Sequence, residues 1–242
     1  VPYGSATVSY ELAKNLSLQK NKLIIIAPFV KNAKPFDSNA DLVTYRITTI
    51  KIIREVVLFF MILYLIVKYN INVMYNLTWY PAAAVSYFVS IITRIPYVIN
   101  VYAADYFEDR STLVNKIKYN FLRALIKRLA FDRAKAIITI SNFMKDTLVA
   151  QGVDALKIKT IFQGVDCNRF MPNLNAQEVI AKHQLENKKI LLTVSRLDDN
   201  KGHDMVIRAL PEIIAAVPDC VYFIVGSGPH EGNLKILVRS LN

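Results

Sequence analysis

Cysteine is almost absent: Cys167 and Cys220 are the two in 242 residues. Two are too few for a disulfide framework and lack any metal-ligand spacing, so both are expected as free thiols in a reducing cytosol. Histidine is hardly more frequent, and His183, His203 and His230 are scattered in a way that suggests no metal site. A bilayer-spanning run is also missing. Val56 to Val67 is an unbroken stretch of twelve apolar residues between Glu55 and Lys68, short of the roughly 20 that a span requires. It reads as a buried helix, with an interfacial helix as the lesser alternative. Acidic residues are outnumbered, 19 against 30 basic, leaving a net charge of +11. That balance favours anionic partners such as nucleotide sugars, anionic lipid surfaces or nucleic acid.

The 53% hydrophobic content is ample for a packed core. Val8, Leu12 and Leu16 recur at helical spacing behind Ser5 and Thr7. Strand-like segments follow at Leu23 to Ala27, Leu42 to Thr48, Ile71 to Leu77, Tyr97 to Tyr102, Ala136 to Ile140 and Lys157 to Ile161, with helical segments between most of them. This alternation implies βαβ units and a mostly parallel sheet, hence the α/β class. Asn168 to Glu186 is polar and lacks strand patterning, so the domain boundary is placed there: 1–173 forms a first domain and 174–242 the linker and start of a second. The opening Pro2-Tyr3-Gly4-Ser5 is a turn that calls for a strand before it, and the last helix follows only two strands of its sheet. Both ends are therefore expected to be truncated.

The last quarter is the most specific. Ile190-Leu-Leu-Thr-Val-Ser-Arg-Leu-Asp-Asp-Asn-Lys-Gly202 reads as a strand delivering Arg196 and Lys201 into a loop just before a helix. Fixed cations beside a helix amino terminus at the carboxyl end of a strand make an anion site. A solvated loop with a salt bridge from Arg196 to Asp198 or Asp199 is the plainer alternative. Along the helix, Val206, Leu210, Ile214 and Val217 should face the sheet, with a bend or tightened turn near Pro211. Gly226-Ser-Gly-Pro-His-Glu-Gly232 has the spacing G-x-G-x3-G, and Pro229 removes an amide from any phosphate cradle, which disfavours a nicotinamide dehydrogenase.

These motifs, with Gly4, Ser141-Asn142 and Gly164-Val165-Asp166, resemble family 4 of the GT-B glycosyltransferases, in which G-R-L-x(3-4)-K-G precedes a helix and a V-G-x-G-P turn. Here Ser195 takes the place of the first glycine. The resemblance implies a GT-B fold, a Rossmann-like parallel-sheet domain followed by the start of a second Rossmann-like domain. It implies transfer of a sugar from a nucleotide diphosphate sugar to a hydroxyl, with retention and without a cofactor or required metal. Arg196, Lys201 and Gly4 would bind the donor diphosphate; Gly226 and Gly228 would border the nucleotide pocket, and Gly164 the cleft. Tyr102 and Asp105 fall where the family has a histidine and an aspartate near the transferred sugar. Tyrosine cannot supply that histidine's cationic form near neutral pH. The family's E-x7-E pair lies beyond Asn242, so the chain as given is expected to be inactive. Ser141 is expected to cap the helix that begins after it.

Arg110 to Lys135 holds eight basic residues, Arg110, Lys116, Lys118, Arg123, Lys127, Arg128, Arg133 and Lys135, interleaved with Ile117, Phe121, Leu125 and Leu129. The apolar stripe is expected to pack on the sheet while the cations face water. A peripheral position on the cytoplasmic face of an anionic membrane, suited to a saccharide or lipid-linked acceptor, is the alternative. No readout motif accompanies the charge, so nucleic acid is not expected as a partner. A noncatalytic GT-B scaffold stays open beside the enzyme reading because of the Tyr102-Ala103 departure.

Overall fold

The computed structural model describes residues 4–29, 42–102, 116–172 and 174–241. The chain divides into two compact units, Val1–Val165 and Asp166–Asn242. In the first, α1 (Gly4–Leu18) precedes strands β1 (Ile24–Pro28) and β2 (Val43–Ile47), which pair in parallel. After α2 (Lys51–Tyr69) come β3 (Met74–Asn76), α3 (Ala84–Thr93), β4 (Tyr97–Val101), α4 (Lys116–Arg133), β5 (Ala136–Thr139), α5 (Asn142–Ala150) and β6 (Ile158–Thr160). β3 to β6 form a four-stranded sheet in sequence order, every pair parallel. A parallel pair needs a crossover between its strands, and the helices supply it. Among the described residues the β1–β2 ladder is not joined to the four-stranded one by hydrogen bonds.

The core of this unit is built on β-branched positions in register. Ile99 lies opposite Ile137 and Ile137 opposite Ile158, all buried, with Val89, Phe131, Met144 and Leu148 packed over them. The Tyr97 phenol, 1% exposed, donates to the Ala130 carbonyl at 2.6 Å and ties β4 to α4. Arg133 donates from Nε to Ser90 Oγ (2.7 Å) and from Nη2 to the Ser90 carbonyl (3.0 Å), joining α4 to α3. One of the cations expected in water is thus a tie between helices.

Two expectations change here. The Val56–Val67 run is not a buried helix throughout: Leu58, Ile62 and Leu65 are buried, whereas Val56, Phe60, Tyr64 and Val67 on the opposite side of α2 are exposed. On α4, Ala130 and Phe131 enter the core while Leu125 and Leu129 stay exposed, so the inward face lies off the expected stripe. Ile117 and Phe121 have no described side chains. Between β3 and α3, Pro81 sits in a π-helical turn, Trp79–Ala83, with Tyr80 extended, and α3 begins at Ala84.

The second unit contains α6 (Gln177–His183), β7 (Lys189–Val194), α7 (His203–Ala216), β8 (Cys220–Val225) and α8 (Glu231–Ser240), with β7 and β8 parallel. Helix α7 runs on through Pro211 as α-helix, with no tightened turn. Its buried side chains are His203 and Ile207, while Ile214 and Val217 are exposed, so the buried face is turned from the expected one. Ser141 caps α5 as expected, its Oγ accepting from the Met144 amide at 3.2 Å.

Candidate functional site

β7 ends at Val194, and the loop that follows carries Arg196, then a single 3-10 turn, Asp199–Lys201, and enters α7 through Gly202. Gly202 has φ +67, the left-handed region that glycine adopts without a Cβ penalty. It provides no side-chain cap, so the opening amides of α7 form the positive end of a 14-residue helix beside Lys201. Arg196 and Lys201 therefore share one short loop, both exposed, at a helix amino terminus.

Arg196 forms the salt bridge anticipated as the plainer alternative, Nη2 to Asp198 Oδ2 at 3.0 Å. Its side chain is nevertheless 53% exposed, and one carboxylate cannot occupy all five guanidinium donors. Asp198 thus orients a group that stays half exposed. Asp199 is engaged elsewhere, 2.8 Å from His230 Nδ1.

The loop is held from behind by the turn after β8. The Ser195 amide donates to the Val225 carbonyl, Leu197 to Ser227 and His230 to Leu197, each at 3.1 Å. These bonds extend the β7–β8 ladder past the strand ends. The close approach depends on glycine: a Cβ on Gly226 would stand 1.8 Å from the Ser195 carbonyl oxygen, and one on Gly228 would stand 2.5 Å from that of Leu197. Both residues sit directly behind the Arg196 loop.

His203, missed as a site residue in the sequence, is 2% exposed in the first turn of α7. Its Nε2 lies 3.0 Å from Ser195 Oγ and 3.1 Å from the Arg196 carbonyl oxygen. Among the described residues its buried Nδ1 has no hydrogen-bond partner. No spacing rule connects a lone histidine with a serine eight positions earlier, so only the folded loop reveals the pair.

In the first unit, Tyr102 follows β4 at the carboxyl edge of the four-stranded sheet, where open parallel sheets bind ligands. The Asn100 side-chain amide donates to its hydroxyl at 3.2 Å, while buried Asn100 Oδ1 has no hydrogen-bond partner among the described residues. Asn100 was not singled out in the sequence, although asparagine is a poor strand former and its place inside β4 was a usable signal. Neighbouring Tyr75 has its phenol pushed up to about 12, chiefly by burial, with Tyr102 adding and Asn100 opposing. Gly164 lies in the exposed loop after β6; a Cβ there would meet nothing within 4 Å, so its local geometry does not require glycine. Gly4 is the first residue of α1. Asp105, Ala103 and Arg110 lie outside the described residues.

Residues 2–169 match the sequence pattern of Glycosyltransferase Family 4, and residues 175–242 match that of Glycosyl transferases group 1. Among curated proteins, the chain is 26% identical over 231 residues to the GDP-mannose-dependent alpha-(1-6)-phosphatidylinositol monomannoside mannosyltransferase of Mycolicibacterium smegmatis, covering 93% of this chain and 57% of the relative. It is 31% identical over 106 residues to spore coat protein SA of Bacillus subtilis, covering 41% of this chain and 28% of that protein. Among solved structures, Anabaena Alr3699/HepE in complex with UDP superimposes with a TM-score of 0.73 at 20% identity, covering 100% of this chain and 62% of that one. A glycosyltransferase from Rickettsia africae gives 0.71 at 22% identity, covering 97% and 60%. The chain thus spans somewhat over half the length of the mannosyltransferase and of these two structures. With more than half of its residues matched by one family pattern and the paired α/β units that pattern implies, the chain belongs to glycosyltransferase family 4.

Proposed function

We propose that this protein takes part in sugar transfer from a nucleotide diphosphate sugar to a hydroxyl of a saccharide or lipid-linked acceptor, with retention of anomeric configuration. The observation that carries the reading is the β7–α7 loop, where Arg196 and Lys201 flank a helix amino terminus. A diphosphate leaving group gains negative charge as the glycosidic bond breaks, and fixed cations with helix amides stabilise that charge. Arg196 is pre-aimed by Asp198, and Lys201 adds a compact ammonium donor. Gly226 and Gly228 support this loop from behind. Tyr102 and Asn100 provide hydroxyl and amide groups suited to a sugar or acceptor. Retention and independence from a cofactor rest on family membership.

The names of two relatives support the donor class: the mycolicibacterial one is GDP-mannose-dependent, and HepE was solved with UDP. The phosphatidylinositol monomannoside in the first name supports a lipid-linked acceptor and a peripheral place at a membrane. Among the described residues no helix is long and apolar enough to cross a membrane.

Calorimetric titration with UDP-glucose and GDP-mannose, followed by a transfer assay, tests the proposal. Binding should weaken by about tenfold or more in Arg196→Ala and in Lys201→Ala, since each removes a charge-assisted contact. Unchanged binding and transfer in both variants would sink it. Binding without transfer in the otherwise complete protein would favour a noncatalytic scaffold.

A further inference from the structure

The amino-terminal halves of α2 and α3, the π-helical turn and the middle of α4 enclose a groove of about 470 Å³. Its walls are Val56, Phe59 and Phe60 from α2, Trp79 and Tyr80 from the turn, and Phe88 from α3. Leu122 and Ile126 of α4 close it. α2 follows β2, α3 follows β3 and α4 follows β4, so each helix starts at the carboxyl side of a parallel strand. The groove therefore lies toward the ligand-binding edge of the sheet.

The lining is hydrocarbon and aromatic along its length and polar at its rim. There Glu55 accepts from the Tyr80 hydroxyl at 3.2 Å and pairs with Arg54 at 2.6 Å. The Arg123 guanidinium stands 5.0 Å from the ring centroids of both Trp79 and Tyr80, and Lys127 Nζ stands 5.5 Å from Trp79. From the groove an exposed apolar line continues along α2 through Phe60, Tyr64 and Val67. It ends at Lys68, whose ammonium lies over the rings of Tyr64 and Tyr69 at 5.3 and 5.2 Å. A bound polypeptide would bring backbone amides and carbonyls that this lining could not satisfy. An amphiphile with an apolar body and one anionic end matches both the lining and the rim. Aromatic rings, basic side chains and an apolar helix face together mark an interfacial surface, and the net charge of +11 draws it to anionic lipid.

We infer that this groove holds a hydrocarbon chain of an anionic lipid at a bilayer surface, with the lipid phosphate beside Arg123 and Lys127. The inference rests on the peripheral membrane place proposed above and not on the donor reading. It assigns the contact to α2, the π-helical turn and α4 together, joining the Val56–Val67 run and the basic helix that the sequence offered as separate interfacial alternatives.

Trp79 is the only tryptophan in the chain and lines the groove, so it reports occupancy directly. Vesicles of phosphatidylglycerol brominated in mid-chain should quench the emission that Trp79→Phe removes, and vesicles of brominated phosphatidylcholine should do so far less. Val56 and Phe60 are 55% and 63% exposed, so Val56→Asp and Phe60→Asp leave the core intact. Each should weaken vesicle binding on the order of tenfold by placing a charge against hydrocarbon. Arg123→Gln and Lys127→Gln should each cost about fivefold. Arg196→Ala, which weakens nucleotide-sugar binding, should leave the quenching of Trp79 by vesicles in place.

Vesicle binding without quenching of Trp79, equal quenching by neutral vesicles, or indifference to both aspartate substitutions overturns the assignment. A self-associated species in sedimentation that is lost on Val56→Asp and Phe60→Asp without lipid would give the groove to a second copy and also overturn it. Lost quenching with intact nucleotide-sugar use rejects the lipid groove alone; intact quenching without nucleotide-sugar use rejects the donor reading alone.

Discussion

Ser195 and His203 are joined across the β7–α7 loop, Oγ to Nε2 at 3.0 Å, and the same nitrogen lies 3.1 Å from the carbonyl oxygen of Arg196. The imidazole thus fixes the peptide that carries Arg196. With the proton on Nε2 it donates to that carbonyl, and the Ser195 hydroxyl donates to the same oxygen at 3.2 Å. Ser195, which stands where the family has glycine, has gained a partner.

His203→Ala should destabilise the second unit by about 2–4 kcal/mol, through the cavity left by a buried ring and the lost hydrogen bonds to Ser195 and the Arg196 carbonyl. In addition, nucleotide diphosphate binding should fall while Arg196 itself is intact. His203→Asn should recover part of the binding if the hydrogen bond matters, and none if the ring only fills space. Chemical denaturation and calorimetry on the same variants separate the two effects.

Gly226→Ala should be among the most damaging single-methyl additions in this chain. The new Cβ would meet the Ser195 carbonyl oxygen at 1.8 Å, and a backbone atom cannot move aside alone. A loss of roughly 3 kcal/mol or more is expected, with weaker diphosphate binding. Gly232→Ala is the matched control, because nothing lies within 4 Å of its added Cβ. Equal melting temperatures for the two variants would contradict the packing described between these loops.

Alkaline stability should depend on Tyr97. Burial pushes its phenol above the usual tyrosine range; Arg133 opposes and Tyr87 adds. A group whose folded pKa is raised contributes stability that is whole below its unfolded value, near 10, and is lost as pH climbs above it. Unfolding free energy measured from pH 8 upward should therefore fall beyond about pH 10. In Tyr97→Phe the fall should be smaller, and stability at pH 8 should be lower by about 1 kcal/mol from the missing bond to Ala130. Parallel pH curves for the two proteins would refute this.

Ser141→Ala should cost about 1 kcal/mol by uncapping α5, and Ser141→Asp should restore most of it. Urea midpoints read this directly, and a silent alanine variant would mean that the cap contributes nothing in solution.

The elements that were legible in the sequence are those whose signal is local. Ser141 before Asn142 announces its cap, and β-branched runs such as Ile137-Ile138 announce strands. Orientation was less legible. Twelve apolar residues on α2 carry no period that tells Leu58 from Phe60, and only packing decides which side is covered. On α4 the leucine-based reading turns Leu125 and Leu129 inward, whereas packing buries Ala130 and Phe131 and leaves both leucines exposed. The glycines after β8 were legible as a turn, but their contact with Ser195 and Leu197 lies some 30 residues back along the chain and leaves no trace in spacing. Arg196 and Lys201 were legible because strand, loop and helix follow one another directly.

The bonds from Ser195, Leu197 and His230 to the facing loop make the two loops one mechanical piece. Their conformational entropy is surrendered during folding, before any nucleotide arrives, so a ligand need not order the loop at its own expense. For protein engineering this sets the unit of exchange. A β7–α7 loop grafted from a relative without its partner turn would meet the wrong backbone behind it, whereas residues 195–203 moved together with 225–230 would keep the alignment of the cations.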